Sequence, residues 1–255
     1  MDPTSGVPEP ASDLAEAIRR VEQEKEEFLS IVAHELKTPL TPLKSMAQLI
    51  RLRLARARRG ERELDLDSLE RNLATIERQV DRMDRLVTDV LEVSRIRRGR
   101  FELTPAPMDL AGVVREAVQR WSEAVAEEGR HRLELDAPAT LTVTADQQRI
   151  EQVVGNLIGN AIKYSPHGGT VHVRLEERPQ EAVLTVADGG IGLAEDELAQ
   201  IGREPFARGR RAHGFAGIGV GLYLSRLVAE GHGGRVELES EGEDKGTTAR
   251  LILPR

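Results

Sequence analysis

The sequence predicts an α + α/β chain: an antiparallel helical hairpin that dimerises into a four-helix bundle, then an α/β sandwich with one mixed sheet and helices on one face. Three observations predict it. Two long amphipathic stretches are joined by a short charged segment before residue 99. Period-2 segments interspersed with helical ones follow after residue 100. Hydrophobic residues make up 39% of the 255 residues but aromatics only 3%, so both cores must be built from Leu, Val, Ile and Ala.

Residues 1–12 (MDPTSGVPEPAS) have no periodicity and read as a flexible lead-in. Residues 13–99 form the hairpin. Asp13 is expected to cap the first helix, with Glu16 three residues on. Apolar residues recur at Ile18, Val21, Phe28, Val32, Leu36, Leu43, Met46 and Ile50. Pro39 and Pro42 fall inside this stripe and each removes a backbone donor, so one bent helix is expected. RARRGERELDLDS makes a turn at Gly60. Leu69, Leu73, Ile76, Val80, Met83, Val87 and Val90 then alternate fours and threes, the a/d repeat of a supercoiled helix. A lone hairpin has little core, and pairing of two would bury the apolar surface left over.

Residues 100–255 form the second domain. PAPMDLAGVVREAVQRWSEAVAEEG has a helical period, and RLELD and LTVTA alternate as strands. Asp146 opens a helix running to about Tyr164. VHVRLEE and AVLTVAD pair around RPQ, GVGLYLSRLVAEG is helical, and RVELESE with TTARLILP makes a last hairpin.

The charge balance, 36 Lys and Arg against 43 Asp and Glu, disfavours nucleic acid as the main partner. The absence of cysteine removes disulfides, thiolate metal sites and thiol nucleophiles. No run of 18 apolar residues and no leader pattern occur, so the chain as given is expected to be soluble and cytoplasmic. A longer, membrane-bound parent is compatible with this, and the signal is expected from an upstream sensor domain or protein outside this chain.

Four segments carry chemistry. His34 should lie outside the apolar stripe, with Glu35 adjacent and Thr38 one turn on. A carboxylate beside an exposed imidazole can fix one tautomer and leave the other nitrogen nucleophilic, although a helical histidine is more often structural. In RIEQVVGNLIGNAIKYS, Asn156, Asn160 and Lys163 share one helix face. An Asn oxygen suits Mg²⁺ and a Lys suits phosphate, while a polar face that merely meets water is the blander reading. Gly155 and Gly159 cost this helix about 1 kcal/mol each, which calls for close approach of a ligand or sheet. DGGIGL puts Asp188 at a strand end, where it can accept an amino hydrogen, with Gly189, Gly190 and Gly192 leaving room for a planar ring. Finally, residues 194–216 carry four Arg and three Gly and read as a lid, and Gly217, Gly219 and Gly221 directly precede a helix.

FLSIVAHELKTPL resembles the phosphoacceptor box of the sensor histidine kinases of two-component systems, and the likeness runs from about residue 20 to 255. It implies a dimerisation and histidine-phosphotransfer hairpin and a catalytic domain of the ATP-binding fold shared with gyrase, Hsp90 and mismatch-repair ATPases. It implies further that His34 is autophosphorylated on a ring nitrogen, that Glu35 orients and deprotonates it, and that Thr38 places water for dephosphorylation of a response regulator. Ala33 stands where Ser is frequent. The N box implies that Asn160 ligates Mg²⁺, that Asn156 and Lys163 lie near the ATP phosphates, and that Tyr164 flanks the nucleotide. The D-x-G-x-G box implies that Asp188 reads the adenine amine beside Gly190 and Gly192. GFAGIGVGLYL is similar to the G2 box, with Gly217, Gly219, Gly221 and Leu222 matching and Val220 where Leu is usual. EPFAR resembles the F box in Phe206 and Arg208, but Arg203 stands in place of its first Phe and Ala207 in place of an aromatic. The implied partners are a second copy of the chain, ATP and a response-regulator receiver domain, with a hinge near Arg97–Arg100. The alternative is a nucleotide-binding scaffold or phosphatase-dominant protein with weak kinase turnover.

Overall fold

The computed structural model describes residues 10–60, 65–97, 102–126 and 129–255 apart from 204, 206–208, 216 and 218. The chain divides into two compact units, Met1–Val87 and Thr88–Arg255.

In the first unit, α1 (Pro10–Arg58) is one continuous helix with Pro39 and Pro42 inside it. It begins three residues before Asp13, so Asp13 is not its cap. After the turn at Gly60 (φ +70°), Asp65 caps the next helix by accepting the Ser68 amide at 2.9 Å. That helix, α2 (Leu66–Arg97), runs from the first unit into the second. Arg53 of α1 donates to the Ser68 hydroxyl of α2 and closes the hairpin.

The heptad stripe of α2 divides in the structure. Leu69, Ile76, Met83 and Val90 are at least half-buried, and Leu86 and Val93 are fully buried. By contrast Leu73, Val80 and Val87, with Leu66, remain 46%, 51%, 44% and 63% exposed. Within the first unit the covered positions include 69, 76, 83 and 86, one flank of a broad apolar face. The other flank, spaced by sevens, is left uncovered.

In the second unit, β1 (Ala106–Asp109) pairs antiparallel with β3 (Thr142–Ala145). A mixed five-stranded sheet has the order β2-β4-β5-β7-β6. Its strands are β2 (His131–Asp136), β4 (Gly169–Glu177), β5 (Glu181–Ala187), β6 (Arg235–Glu239) and β7 (Thr248–Pro254), and only β2 and β4 run parallel. Val173, Leu184 and Leu251 are among the residues of its inner face, packed into one core with α3 (Leu110–Ala126), α4 (Gln147–Lys163) and α6 (Gly221–Gly231). The helices therefore do occupy one face. On the other face Val183 and Ile252 are buried although outside that core, and ion pairs such as Arg235–Glu181 (2.8 Å) and Arg174–Asp136 (3.1 Å) span it.

One element differs from expectation: residues 106–109, placed by their period in a helix, form a strand. Pro105 and Pro107 lack amide donors, and Asp109 stops helix propagation by taking two amides on Oδ1, Ala111 at 3.1 Å and Leu141 at 3.0 Å. The Leu141 amide, seconded by those of Gly112 and Ala111 and by Arg115, holds the Asp109 carboxyl below its usual range in spite of burial. Its contribution is accordingly present above the ordinary carboxylate range and lost as pH falls through the lowered value. Asp109→Ala should cost about 1–2 kcal/mol in urea unfolding at neutral pH, and the difference from the unmodified chain should shrink in acid.

Candidate active site

The site of the second unit is organised on α4. Asp146 caps it, its Oδ1 accepting the Arg149 amide at 3.2 Å. Ile150, Val153, Val154, Leu157, Ile158 and Ala161 face the core, which leaves Asn156, Asn160 and Lys163 on another face, as their spacing required. Asn156 Nδ2 donates to Ser225 Oγ (2.9 Å), and Ser225 in turn donates to Gly221 O (2.9 Å). Asn160 Nδ2 donates to Asn156 Oδ1 at 3.4 Å, which leaves the Asn160 carbonyl oxygen as its ligand-type atom. Lys163 Nζ lies 2.8 Å from Tyr164 Oη and 4.3 Å from the centre of that ring.

Three glycine-bearing segments close on this face. A Cβ on Gly221 would stand 2.3 Å from Asn156 Oδ1, so α6 reaches α4 only because that residue has no side chain. Gly217, at φ +123°, passes so close to Lys163 that a Cβ would sit 3.2 Å from Nζ. Asp188 ends β5, with Oδ1 accepting the amides of Gly190 (2.8 Å) and Thr247 (3.2 Å). Burial pushes its carboxyl above the usual range, against those two amides. The Asp188 loop rests on the end of α4, where Ile191 N donates to Tyr164 O at 2.9 Å.

The structure gives several glycines a different reason from the one their sequence suggested. Cβ atoms on Gly190 and Gly192 would meet backbone oxygens, Tyr164 O at 2.2 Å and Gly242 O at 2.0 Å, so these positions make room for neighbouring chain rather than for a ring. Gly159 fits against Trp121 of α3, which a Cβ would touch at 3.0 Å, and not against a ligand or the sheet. Gly155 has open space around it. Leu222 packs on the core and over Gly202.

In the lid segment Arg210 pairs with Asp196 (3.1 Å), and Arg211 pairs with Asp244 (2.8 Å) on the β6–β7 turn. These two arginines thus engage carboxylates. Phe206, Ala207 and Arg208 lie outside the described residues, as do residues 98–100 of the hinge expected near Arg97–Arg100. Phe215, which the sequence did not single out, meets Tyr164 edge-on at 5.3 Å. Ser225 was also missed. Its only signal is a helical Ser four residues after Gly221, and such a Ser is common.

On the first unit His34 is exposed, while Glu35 is only 8% exposed. Thr38 Oγ1 donates to the His34 carbonyl at 3.0 Å, one turn back along its own helix. Among the described residues no cluster of three or more His, Cys, Asp or Glu could hold a metal. No described helix is long and apolar enough to cross a membrane.

Residues 24–99 match the His Kinase A (phospho-acceptor) domain family. Residues 145–255 match the histidine kinase-, DNA gyrase B-, and HSP90-like ATPase family. The chain belongs to the two-component sensor histidine kinases. Among its relatives is the adaptive-response sensory kinase SasA of a Synechococcus strain, 33% identical over 91% of this chain and 57% of that one. The solved structure of the Acinetobacter baumannii histidine kinase AdeS aligns with a TM-score of 0.60 at 26% identity, covering 87% of this chain and 97% of that one. Full-length ShkA in complex with AMPPNP aligns with a TM-score of 0.61 at 28% identity, over 89% of this chain and 45% of that one. The chain spans about half the length of the curated kinases it matches.

For this kinase, the raised Asp188 carboxyl has a definite consequence for stability. The protonated form is favoured in the folded state, so its contribution is present in acid and lost as pH rises through the raised value. Asp188→Asn keeps an oxygen for both amides and carries no charge. Without nucleotide it should melt higher than the unmodified chain at neutral pH, and the gap should close below the carboxylate range.

Proposed function

We propose that this chain binds ATP between α4, the Asp188 loop and the glycine turn before α6, transfers its γ-phosphoryl group to His34, and serves as the phosphoryl donor to an aspartate of a response-regulator receiver domain. The observation that carries the reading is the convergence of Asn156, Asn160 and Lys163 with Gly217 and Gly221 on one side of α4. Lys163 offers a point charge to phosphate. The remaining oxygen of Asp188 accepts an amino hydrogen of adenine, its Oδ1 being committed to two amides. Tyr164 and Phe215 supply an aromatic wall. AMPPNP in the ShkA structure supports a nucleotide at this fold's site.

Asn160 fits Mg²⁺. Its amide nitrogen is spent on Asn156, and a magnesium ion typically takes one or two protein oxygens and fills the rest of its shell with phosphates and water. When bound, the ion neutralises charge on the phosphate oxygens. A ring nitrogen of His34 then attacks the γ-phosphorus, the bond to the β–γ bridging oxygen breaks, and ADP leaves. The Glu35 carboxylate takes the proton from the other ring nitrogen. Thr38 keeps oxygen lone pairs after donating to the His34 carbonyl, enough to hold a water near a docked phospho-aspartate for regulator dephosphorylation.

Incubation with radiolabelled ATP and Mg²⁺ tests the assignment. The label should survive alkali and be lost in acid, as a phosphoramidate is. His34→Gln should abolish it and leave ADP affinity within about threefold (under 1 kcal/mol). Asn160→Asp should depress labelling strongly while the hairpin stays folded. An acid-stable label, or one that persists in His34→Gln, would overturn the reading.

The working unit is a homodimer. The exposed stripe of Leu66, Leu73, Val80 and Val87 follows α2 from its first residue to Val87 at a period of seven, and a second copy covers it with the same stripe. Val80→Glu puts a charge at its middle and should convert a dimer to a monomer in light scattering at micromolar concentration, with α1 and α2 still helical by circular dichroism.

A further inference from the structure

Nothing in the reading above uses His232, and its surroundings are unusually definite. It is the residue that ends α6. Its ring turns back on that helix, with Nδ1 2.7 Å from Val228 O. On the other side Nε2 lies 2.8 Å from the backbone nitrogen of Asp146, the cap of α4. A carbonyl can only accept and an amide N–H can only donate. Nδ1 therefore carries the proton and Nε2 is bare, so a single neutral tautomer satisfies both partners.

We propose that His232 is a positioning residue for nucleotide binding, a strut that fixes the angle between α4 and α6 across the site. The proposal rests on the nucleotide lying where the preceding section puts it. The helices run in opposite directions at this contact: the end of α6 meets the start of α4, while the start of α6 meets Asn156. Ten residues of α4 separate Asp146 from Asn156, about 15 Å of helix. Val228 and Ala229 hold α6 in the core, and the Asn156–Ser225 bond fastens its first turns to α4. The bond at His232 fastens the far end as well, which restricts the remaining tilt of one helix against the other. The clearance at Gly221 is already zero for one extra carbon, so any pivot there displaces Asn156 or the glycine turn beside Lys163 that precedes α6.

The Asp146 end of the strut is itself held from two sides. Its Oδ1 takes the Arg149 amide and its Oδ2 the Thr104 amide at 3.0 Å, from the segment that leads into β1. Burial works to raise this carboxyl, but the Thr104 and Arg149 amides, with the charge of Arg149, hold it below its usual range. The bond from His232 goes to the main chain, so it anchors helix to helix and does not depend on the side chain at 146.

The test uses the whole chain with Mg²⁺ and ADP in a calorimetric titration, alongside ATP-dependent labelling. His232→Ala should weaken ADP about tenfold and raise KM for ATP by a similar factor, while the labelling rate at saturating ATP stays within about twofold. His232→Gln offers an amide oxygen to Asp146 N–H and an amide hydrogen to Val228 O, and should restore affinity to within about threefold. In the unmodified chain, long-range ¹H–¹⁵N correlation should show His232 as the Nδ1–H tautomer. An Nε2–H tautomer, unchanged ADP affinity in His232→Ala, or a Gln variant as weak as the Ala variant would each overturn the proposal. If His232→Ala does not fold, the Gln variant and the tautomer still decide. An unmodified chain that binds no ADP overturns the ATP reading as well, whereas tight binding unchanged by His232→Ala overturns only the strut.

Discussion

The second unit depends on how α4 is held. A 17-residue helix with six residues committed to the core has little choice about what its remaining face presents. That face is polar because Asn156, Asn160 and Lys163 recur at fours and threes. It is kept accessible because the residue of α6 that meets Asn156 is Gly221. A larger residue at 221 would push the helices apart and break the Asn156–Ser225 bond. The Asp188 loop then settles on the C-terminal end of the same helix through Tyr164 O. Core packing, cap and glycine contact thus fix the relative places of groups drawn from four separate stretches of sequence.

The first unit is governed by a different constraint. Its helices are long and their interior positions mostly half-buried, so each turn of the hairpin contributes modestly. The stripe at 66, 73, 80 and 87 remains in water as the chain stands alone. Burying about four branched side chains of this kind is worth roughly 1.5–3 kcal/mol each when complete, a substantial sum beside the marginal stability of a domain. His34, the proposed phosphoacceptor, is solvent-facing on α1. Its neighbour Glu35, 100° further round the helix, is the residue turned inward.

Periodicity made most of this legible before any coordinates. The hairpin, the strand pairs, the Asp146 cap and the shared face of Asn156, Asn160 and Lys163 all follow from spacing, because an amphipathic element must repeat with its own geometry. What spacing could not give was the partner of each group. Residues 106–109 have a helical period, yet an Asp109 bond to Leu141, 32 residues away, makes them a strand. The α2 stripe is a single pattern in sequence, but which of its members face α1 depends on the rotation of one helix against another. Gly190 and Gly192 of the Asp188 loop were expected to leave room for a planar ring, but the atoms that approach them are backbone oxygens of Tyr164 and Gly242. Ser225 and His232 show no spacing signal, since the long-range bond of each goes to a residue 69 or 86 positions away.

Asp188 shows why such sites are not optimised for stability. A carboxylate after β5 loses hydration, and two amides on one oxygen do not compensate fully, so its proton is held more tightly in the folded chain than in the unfolded one. Neutralising it would relieve the fold, but a neutral acid or an amide presents a weaker acceptor to an adenine amino group than an ionised oxygen does. The geometry reconciles the two demands by splitting the carboxyl. Oδ1 is fixed by Gly190 and Thr247, which sets the plane of the group, and the second oxygen keeps the charge-assisted capacity for the proposed adenine contact. The desolvation cost is met by the surrounding sheet and helices, whose core tolerates one unfavourable group at its edge. A stabilising substitution here would therefore be expected to act against nucleotide recognition, because both effects arise from the same buried charge.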